Sequence, residues 1–193
     1  MRTQQAWQGH PDWRFISSQE GIDHVADQAL SIIREFLFRE TERKWLLTHL
    51  PQGMDLGTPQ LIEQFYLSVV KGAELRMRQI DGECVETKKI GSGLSRMEHE
   101  QAIDPAVYQA FLPAALGKIA KSRYNVPDGG NAVLSFDIFE GSLRGHITVE
   151  REFASLDKAG VYVLPNWLTG ALEVTDNPGY KNASLALKGL PGS

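Results

Sequence analysis

The chain has 193 residues, of which 42% are hydrophobic and 23% charged, so it is long enough and apolar enough to bury one sizeable core. Twenty Lys and Arg against 24 Asp and Glu give a formal net charge of -4, which argues against a general nucleic-acid or anionic-membrane binder. One cysteine, Cys84, excludes an intrachain disulfide and a CxxC metal site and suits a reducing compartment.

The opening "MRTQQAWQGHPDW" has no apolar core of a secretory signal, and no run reaches the roughly 18 apolar residues that span a bilayer, so a cytoplasmic protein with no membrane partner is expected. Ser17 and Glu20 have the spacing of a capping box, and Val25, Ala29, Ile32, Ile33 and Phe36 follow at helical spacing. A short amphipathic helix is therefore expected to lead into a first strand over 36–48. Further strands are expected over 61–70, 73–80, 83–90, 94–103, 121–126, 132–140 and 145–153. Asp81-Gly82, Gly91-Ser92-Gly93 and the looser Asp128-Gly129-Gly130-Asn131 supply turns between antiparallel neighbours. Helices interrupt the pattern at 104–118, with Asp104 as N-cap and Pro105 at the first helical position, and near 155–163, and the tail "NPGYKNASLALKGLP" reads as a last helical turn. The fold class expected is mainly β (α+β): an eight-stranded antiparallel β-barrel with flanking helices, in one domain.

Charge in these strands alternates. Glu40, Glu42 and Lys44 occupy every second position of "RETERKWLL", and the same spacing recurs at Arg76 and Arg78, Glu98 and Glu100, Lys121 and Arg123, and Glu150 and Glu152. Residues two apart share one sheet face, ~6–7 Å apart along the strand. A single pair is what any solvated sheet face shows. Five pairs, with Trp45, Leu75 and Met77 between them, suggest instead that the charged face lines the inside of a barrel, although Thr41, Arg43, His99, Ser122 and Arg151 break the apolar alternation. Such a lumen would hold Glu40, Glu42, Glu98, Glu100, Asp137, Glu150 and Glu152 against Lys44, Arg76, Arg78, Lys89, Lys121 and Arg123. Dry burial of so many ions costs several kcal/mol for each one left unpaired, so the cavity must be wet and matched to a ligand. Clustered bases suit a chain of phosphates, and clustered carboxylates suit a hard divalent cation. A polyphosphate bound with such a cation meets both demands.

These residues resemble a known family. "ETERKWLL" is similar to the ExExK signature of the CYTH domains, or triphosphate tunnel metalloenzymes, and the resemblance continues in order through "IEQFYL", "ELRMRQ", "ETKKIGSGLSRMEHEQAI", "IAKSRYNVP", "FDIFEG", "ITVEREF" and "LEVTDNPGYKNASLAL". It implies an eight-stranded tunnel over 36–190, with 1–35 as an N-terminal extension that caps a tunnel mouth, supports a homodimer or simply packs. It implies a linear triphosphate substrate bound with Mg²⁺ or Mn²⁺. Carried over by motif, Glu40, Glu42 and Glu152 would hold the metal that bridges the phosphates. Glu150, with Asp137, would serve a second metal that acts on the attacking water. Lys44, Arg76, Arg78, Lys89, Lys121, Arg123 and Lys181 would cradle phosphate oxygens, with Lys44 and Glu150 in the catalytic roles and Arg96, Glu98 and Glu100 as a supporting set. Of the adjacent Lys88 and Lys89, Lys89 is the one expected to face inward. Ser135 stands where relatives often carry an acid, and Gly179 where an Arg is common.

The activity implied is hydrolysis of inorganic tripolyphosphate or a related linear triphosphate by metal-activated water. Fold alone does not decide it, because the same family includes class IV adenylate cyclases and thiamine triphosphatases, and a non-catalytic polyphosphate-binding module stays open. The five His show no metal-ligand spacing and are expected at surface or strand positions.

Overall fold

Strands with two dissimilar faces can hide both only by closing on themselves and taking a cover. In the computed structural model, which describes Ile16 and residues 21–37, 39–53, 55–91 and 93–192, this is what the chain does. Contacts divide it into residues 1–39 and 40–193. The first unit contributes helix α1, Ile22–Leu37, with Asp23 in its first turn, where a negative charge complements the helix dipole. The proposed capping residues Ser17 and Glu20 lie outside the described residues, as do the side chains of Ile32, Ile33 and Phe36. The helix runs to Leu37, so the first strand starts later than the expected position 36.

The second unit is built on strands β1 (Arg39–Leu47), β2 (Gln60–Val70), β3 (Ala73–Ile80), β4 (Glu83–Ile90), β5 (Ser95–Ala102), β6 (Gly117–Pro127), β7 (Val133–Phe139) and β8 (Ile147–Glu152). They pair antiparallel in the order β5-β4-β3-β2-β6-β7-β8-β1, and a further pairing of β5 with β1 closes the barrel. A two-residue strand, β9 (Leu172–Glu173), adds to β1 beyond the reach of β5. Asp81 and Gly82 both take positive φ, 49° and 98°, the requirement of a type I′ hairpin turn between β3 and β4.

Apolar residues alternate outward and are covered. Helix α2 (Pro105–Phe111) is capped by Asp104, whose carboxylate accepts from Ala106 N at 2.7 Å. It lays Tyr108 against Phe65, Met77 and Cys84 of β2, β3 and β4, with the Tyr108 and Phe65 rings edge to face at 5.0 Å. The segment after β8, which includes helix α3 (Leu156–Val161), covers β1, β7 and β8 through Trp45, Phe153 and Ala159 and through Leu47, Leu134, Phe136, Val149 and Leu168. Arg43 and Arg151, which break the apolar alternation in sequence, lie over aromatic rings: Arg43 4.9 Å from the centre of Trp45, and Arg151 4.4 Å from Phe153 and 4.2 Å from Tyr162. A flat guanidinium can share an apolar face in this way while its donors reach polar atoms at the edge.

The largest differences from the sequence reading lie between Asp104 and Lys121. The helix expected over 104–118 ends at Phe111, is followed by one 3₁₀ turn at Leu112–Ala114, and gives way to β6 at Gly117 rather than at 121. Pro113 cannot donate into a continuing helix. At Gly117 the backbone of helix α4 (Asn182–Lys188) comes so near that a Cβ would sit 2.4 Å from the Ala186 carbonyl oxygen. Helix α4 sets Leu185 on Ile119, Phe139 and Leu143, so one end of the barrel is filled with apolar side chains. No helix of the described residues is long and apolar enough to cross a membrane.

Candidate active site

Register decides which side chains meet inside. Opposite residues of an antiparallel pair share a face, and β1 sets Glu42 opposite Glu152 and Lys44 opposite Glu150. From there the same face continues through Ser135 and Asp137 of β7, Arg123 and Lys121 of β6, Gln64 and Tyr66 of β2, Arg78 and Arg76 of β3, Thr87 and Lys89 of β4, and Glu98 and Glu100 of β5. The charged face is the lumen.

Its ions fall into three groups. In the first, Lys121 Nζ lies 2.5 Å from Asp137, Arg123 forks onto both Asp137 oxygens at 2.7 Å, and Arg123 also reaches Glu150 at 2.5 Å. Lys44 Nζ completes it, 2.6 Å from the other Glu150 oxygen. Burial pushes the Glu150 carboxyl up, but Lys44, Lys121 and Arg123 together hold it well below the usual carboxylate range. Burial prevails at Lys121 and brings its ammonium down to about 8, with Arg123 adding to the effect against the attraction of Asp137.

In the second group Lys89 bridges Glu40 at 2.5 Å and Glu98 at 2.8 Å, Arg76 lies 3.2 Å from Glu98, and Arg78 pairs with Glu100, which also accepts from the Thr87 hydroxyl at 2.8 Å. Arg96 is 3.9 Å from Glu40. Arg76 Nε and Arg78 Nε are buried donors with no acceptor among the described residues, a costly state that an incoming anion would relieve. Lys88, by contrast, is 51% exposed and pairs with Glu86 on the outside.

The third group is Glu40, Glu42 and Glu152, one oxygen from each lying within 4.8 Å of the others. All three carboxyls are raised, first by burial and then by acidic neighbours: Glu98 for Glu40, Glu150 and Glu40 for Glu42, and Glu40 and Glu42 for Glu152. Glu42 is raised to about 7. Three mutually repelling oxygen donors suit a hard divalent cation.

Asp137 and Glu150 thus stand apart from the three-carboxylate group, each between cations. Ser135, at a position where an acid would add to them, gives its hydroxyl to Asn125 at 2.8 Å. Lys181 is half-buried just before α4, between Tyr180 and Asn182, whose oxygens face Lys44 Nζ at 3.5 and 3.4 Å. The sequence reading missed Gln64 and Tyr66, buried in the lumen and joined by a 2.8 Å hydrogen bond, and His146, which is neither on the surface nor in a strand. His146 is buried between the rings of Phe139 and Tyr180, and burial with the nearby Lys44 lowers its pKa to about 4. The inward parity of Gln64 and Tyr66 was available from "IEQFYL"; nothing local marks His146.

No family model matches the chain. An inorganic triphosphatase of Nitrosomonas europaea is 37% identical over 151 residues, 77% of this chain and 97% of that protein. A crystal structure of an inorganic triphosphatase superposes with a TM-score of 0.56 at 33% identity, over 79% of this chain and 97% of the other. A Bacillus halodurans protein with a provisional adenylate cyclase assignment superposes at 0.51 with 17% identity, over 64% of this chain and 86% of that one, and shares the fold alone.

Proposed function

The chain belongs to the CYTH, or triphosphate tunnel metalloenzyme, family, and on that premise we propose that it is a metal-dependent hydrolase of linear triphosphates, with inorganic tripolyphosphate as its substrate. The observation that carries this reading is the division of the lumen: a group of three mutually repelling carboxylates stands beside two sets of buried cations. Glu40, Glu42 and Glu152 would hold Mg²⁺ or Mn²⁺, which supplies neutralisation of phosphate oxygens and a water of lowered pKa. Lys44, Lys121 and Arg123 on one side and Arg76, Arg78 and Lys89 on the other bind the phosphate oxygens and orient the chain between them. Lys181, between the two residues whose oxygens face Lys44 Nζ, would add to the first set.

The cations of the lumen hold carboxylates through the same nitrogens that would meet phosphate, so an entering polyanion competes with Asp137, Glu150 and Glu98 for Lys44, Lys121, Arg123, Arg76 and Lys89. Arg76 Nε and Arg78 Nε gain the acceptors they lack. In the transition state the same cations spread the charge that builds on the leaving phosphate. Glu150, held ionised by Lys44 and Arg123, can accept a hydrogen bond from the attacking water or, with Asp137, serve a second metal by giving up those partners. Arg96, Glu98 and Glu100 orient the cations of the second set. Residues 1–35 are an extension to a tunnel domain over 36–190, open to a role in a homodimer. The single buried thiol of Cys84 suits a cytoplasmic setting.

A second reading, a polyphosphate-binding module without turnover, is favoured by Ser135 and by the full pairing of Asp137 with Lys121 and Arg123. Phosphate release from tripolyphosphate, with ATP and thiamine triphosphate in parallel and with or without Mg²⁺ or Mn²⁺, separates the two. Metal-dependent release from tripolyphosphate that falls by roughly 10² or more in Glu152→Gln is expected. Tight binding of tripolyphosphate with no release would leave the binding module, and cyclic AMP from ATP would indicate a cyclase.

A further inference from the structure

Strand β1 changes partners in the middle of its charged run. At its start the barrel closes against the β5 side, where Glu42 N donates to Leu94 O at 3.3 Å. Two residues on, the partner is the short β9, which sets Glu173 opposite Trp45 and Leu172 opposite Leu46. Lys44 sits at the change. Its carbonyl accepts from Val174 N at 2.9 Å, and its N–H donates to a side chain, the Thr175 hydroxyl, at 3.0 Å.

A hydroxyl has one proton. With its oxygen accepting from Lys44 N, Thr175 donates to Glu173 Oε1 at 2.8 Å, a better contact than the Lys44 carbonyl at 3.4 Å. Glu173 is fixed in turn by Arg43, whose Nε and Nη2 donate to its two oxygens at 2.7 and 2.6 Å. Arg43 Nη1 is tied to the carbonyls of Ala159 and Tyr162 at 2.8 and 2.9 Å. The hydrogen bonds therefore run from the outer cover of the barrel through Arg43, Glu173 and Thr175 to the main chain of Lys44. Beyond Thr175 the same segment continues to the Tyr180 and Asn182 oxygens that face the Lys44 ammonium.

We propose that Thr175, oriented by Glu173 and Arg43, is a positioning residue for Lys44, setting where its ammonium stands against the substrate. Thr175 touches no reacting atom. It fixes the strand on which Lys44 rides and the segment that its ammonium faces, so the phosphate grip of the lumen depends on an ion pair on the outside of the barrel. The inference rests on the proposed role of Lys44 as a phosphate ligand.

Isothermal titration with tripolyphosphate in metal-free buffer tests it, on the wild type, Thr175→Val, Thr175→Ser, Lys44→Ala and the Lys44→Ala/Thr175→Val double variant. Valine keeps the shape and strands the Lys44 N–H, and binding is expected to weaken about five- to tenfold. Serine restores most of the affinity, and the double variant binds like Lys44→Ala. Wild-type affinity in Thr175→Val, or the same loss from valine whether or not Lys44 is present, overturns the proposal. If Thr175→Val does not fold, Glu173→Gln keeps the outline of the relay with a weaker Arg43 contact. It is expected to lose about two- to threefold in affinity in the wild-type background and nothing in Lys44→Ala, and wild-type affinity there overturns the proposal too. A wild type that neither binds nor hydrolyses tripolyphosphate sinks the proposed function and this inference with it, whereas an active wild type with an unaltered valine variant sinks the inference alone.

Discussion

Glu42→Gln should make the metal-free protein more stable while costing it its metal. In the folded state the Glu42 carboxyl is raised from the ordinary 4.5 to about 7, first by burial and then by Glu150. The folded protein therefore binds this proton more tightly than the unfolded chain does, and stability falls as pH rises between those two values. The contribution is fully present below 4.5 and lost above about 7. At about 1.4 kcal/mol for each pH unit, the ionised carboxylate costs about 3 kcal/mol at high pH, and some access to water brings this to about 2 kcal/mol. For a chain of this size that amounts to a Tm higher by about 4–8 °C in Glu42→Gln at about pH 8.5, in chelator. At about pH 5 the gain shrinks below about 1 kcal/mol. Added Mg²⁺ or Mn²⁺ reverses the order, because a cation that binds only the folded wild type raises its Tm and leaves the variant behind. Thermal unfolding followed by circular dichroism at the two pH values, with chelator and with metal, reads all four states. A variant destabilised equally at both pH values, or stabilised by metal as much as the wild type, would refute the reasoning.

Two further outcomes follow from the same geometry. The Lys121 ammonium is lowered to about 8, chiefly by burial, so metal-free affinity for tripolyphosphate should decline as pH rises through that value. In Lys121→Arg, which keeps its charge, the decline should flatten, and identical profiles by titration calorimetry would contradict the role given to Lys121. Gly117→Ala puts a methyl group 2.4 Å from the Ala186 carbonyl oxygen, backbone against backbone, so α4 must move off Ile119 and Phe139. A loss of about 1–3 kcal/mol, read as a Tm lower by about 2–12 °C, is expected, and an unchanged Tm would show that α4 gives way freely.

The charged lumen is legible in sequence because strand parity is a local rule: Glu40, Glu42 and Lys44 must share a face wherever the strand lies, and five such pairs leave little choice of inside and outside. The same rule puts Lys88 and Lys89 on opposite faces, and the spacing from "GSGLSR" in the family resemblance favours Lys89 as the inward one. The helix over 104–118 stops at Phe111, where Pro113 two residues on cannot donate into a further turn, a local stop the expectation passes over; that the chain is already a strand at Gly117, packed against α4 some 70 residues later, is a tertiary relation. Arg43 and Arg151 look like exceptions until the aromatic rings beneath them are in place.

What alternation leaves undetermined is which charges meet. Six lumen carboxylates lie two residues apart on their strands and are equivalent by spacing, yet Glu40, Glu42 and Glu152 bring one oxygen each within 4.8 Å of the others while Glu150, like Asp137, is held by two cations. That division comes from the stagger of β8 on β1 and from the closure of β5 onto β1, relations between strands distant in sequence. Residue types and local period determine the chemistry the lumen can offer. Strand order and register decide where in the lumen each part of it stands, because the electrostatic environment of a side chain is set by its neighbours across the barrel and not by those along the chain.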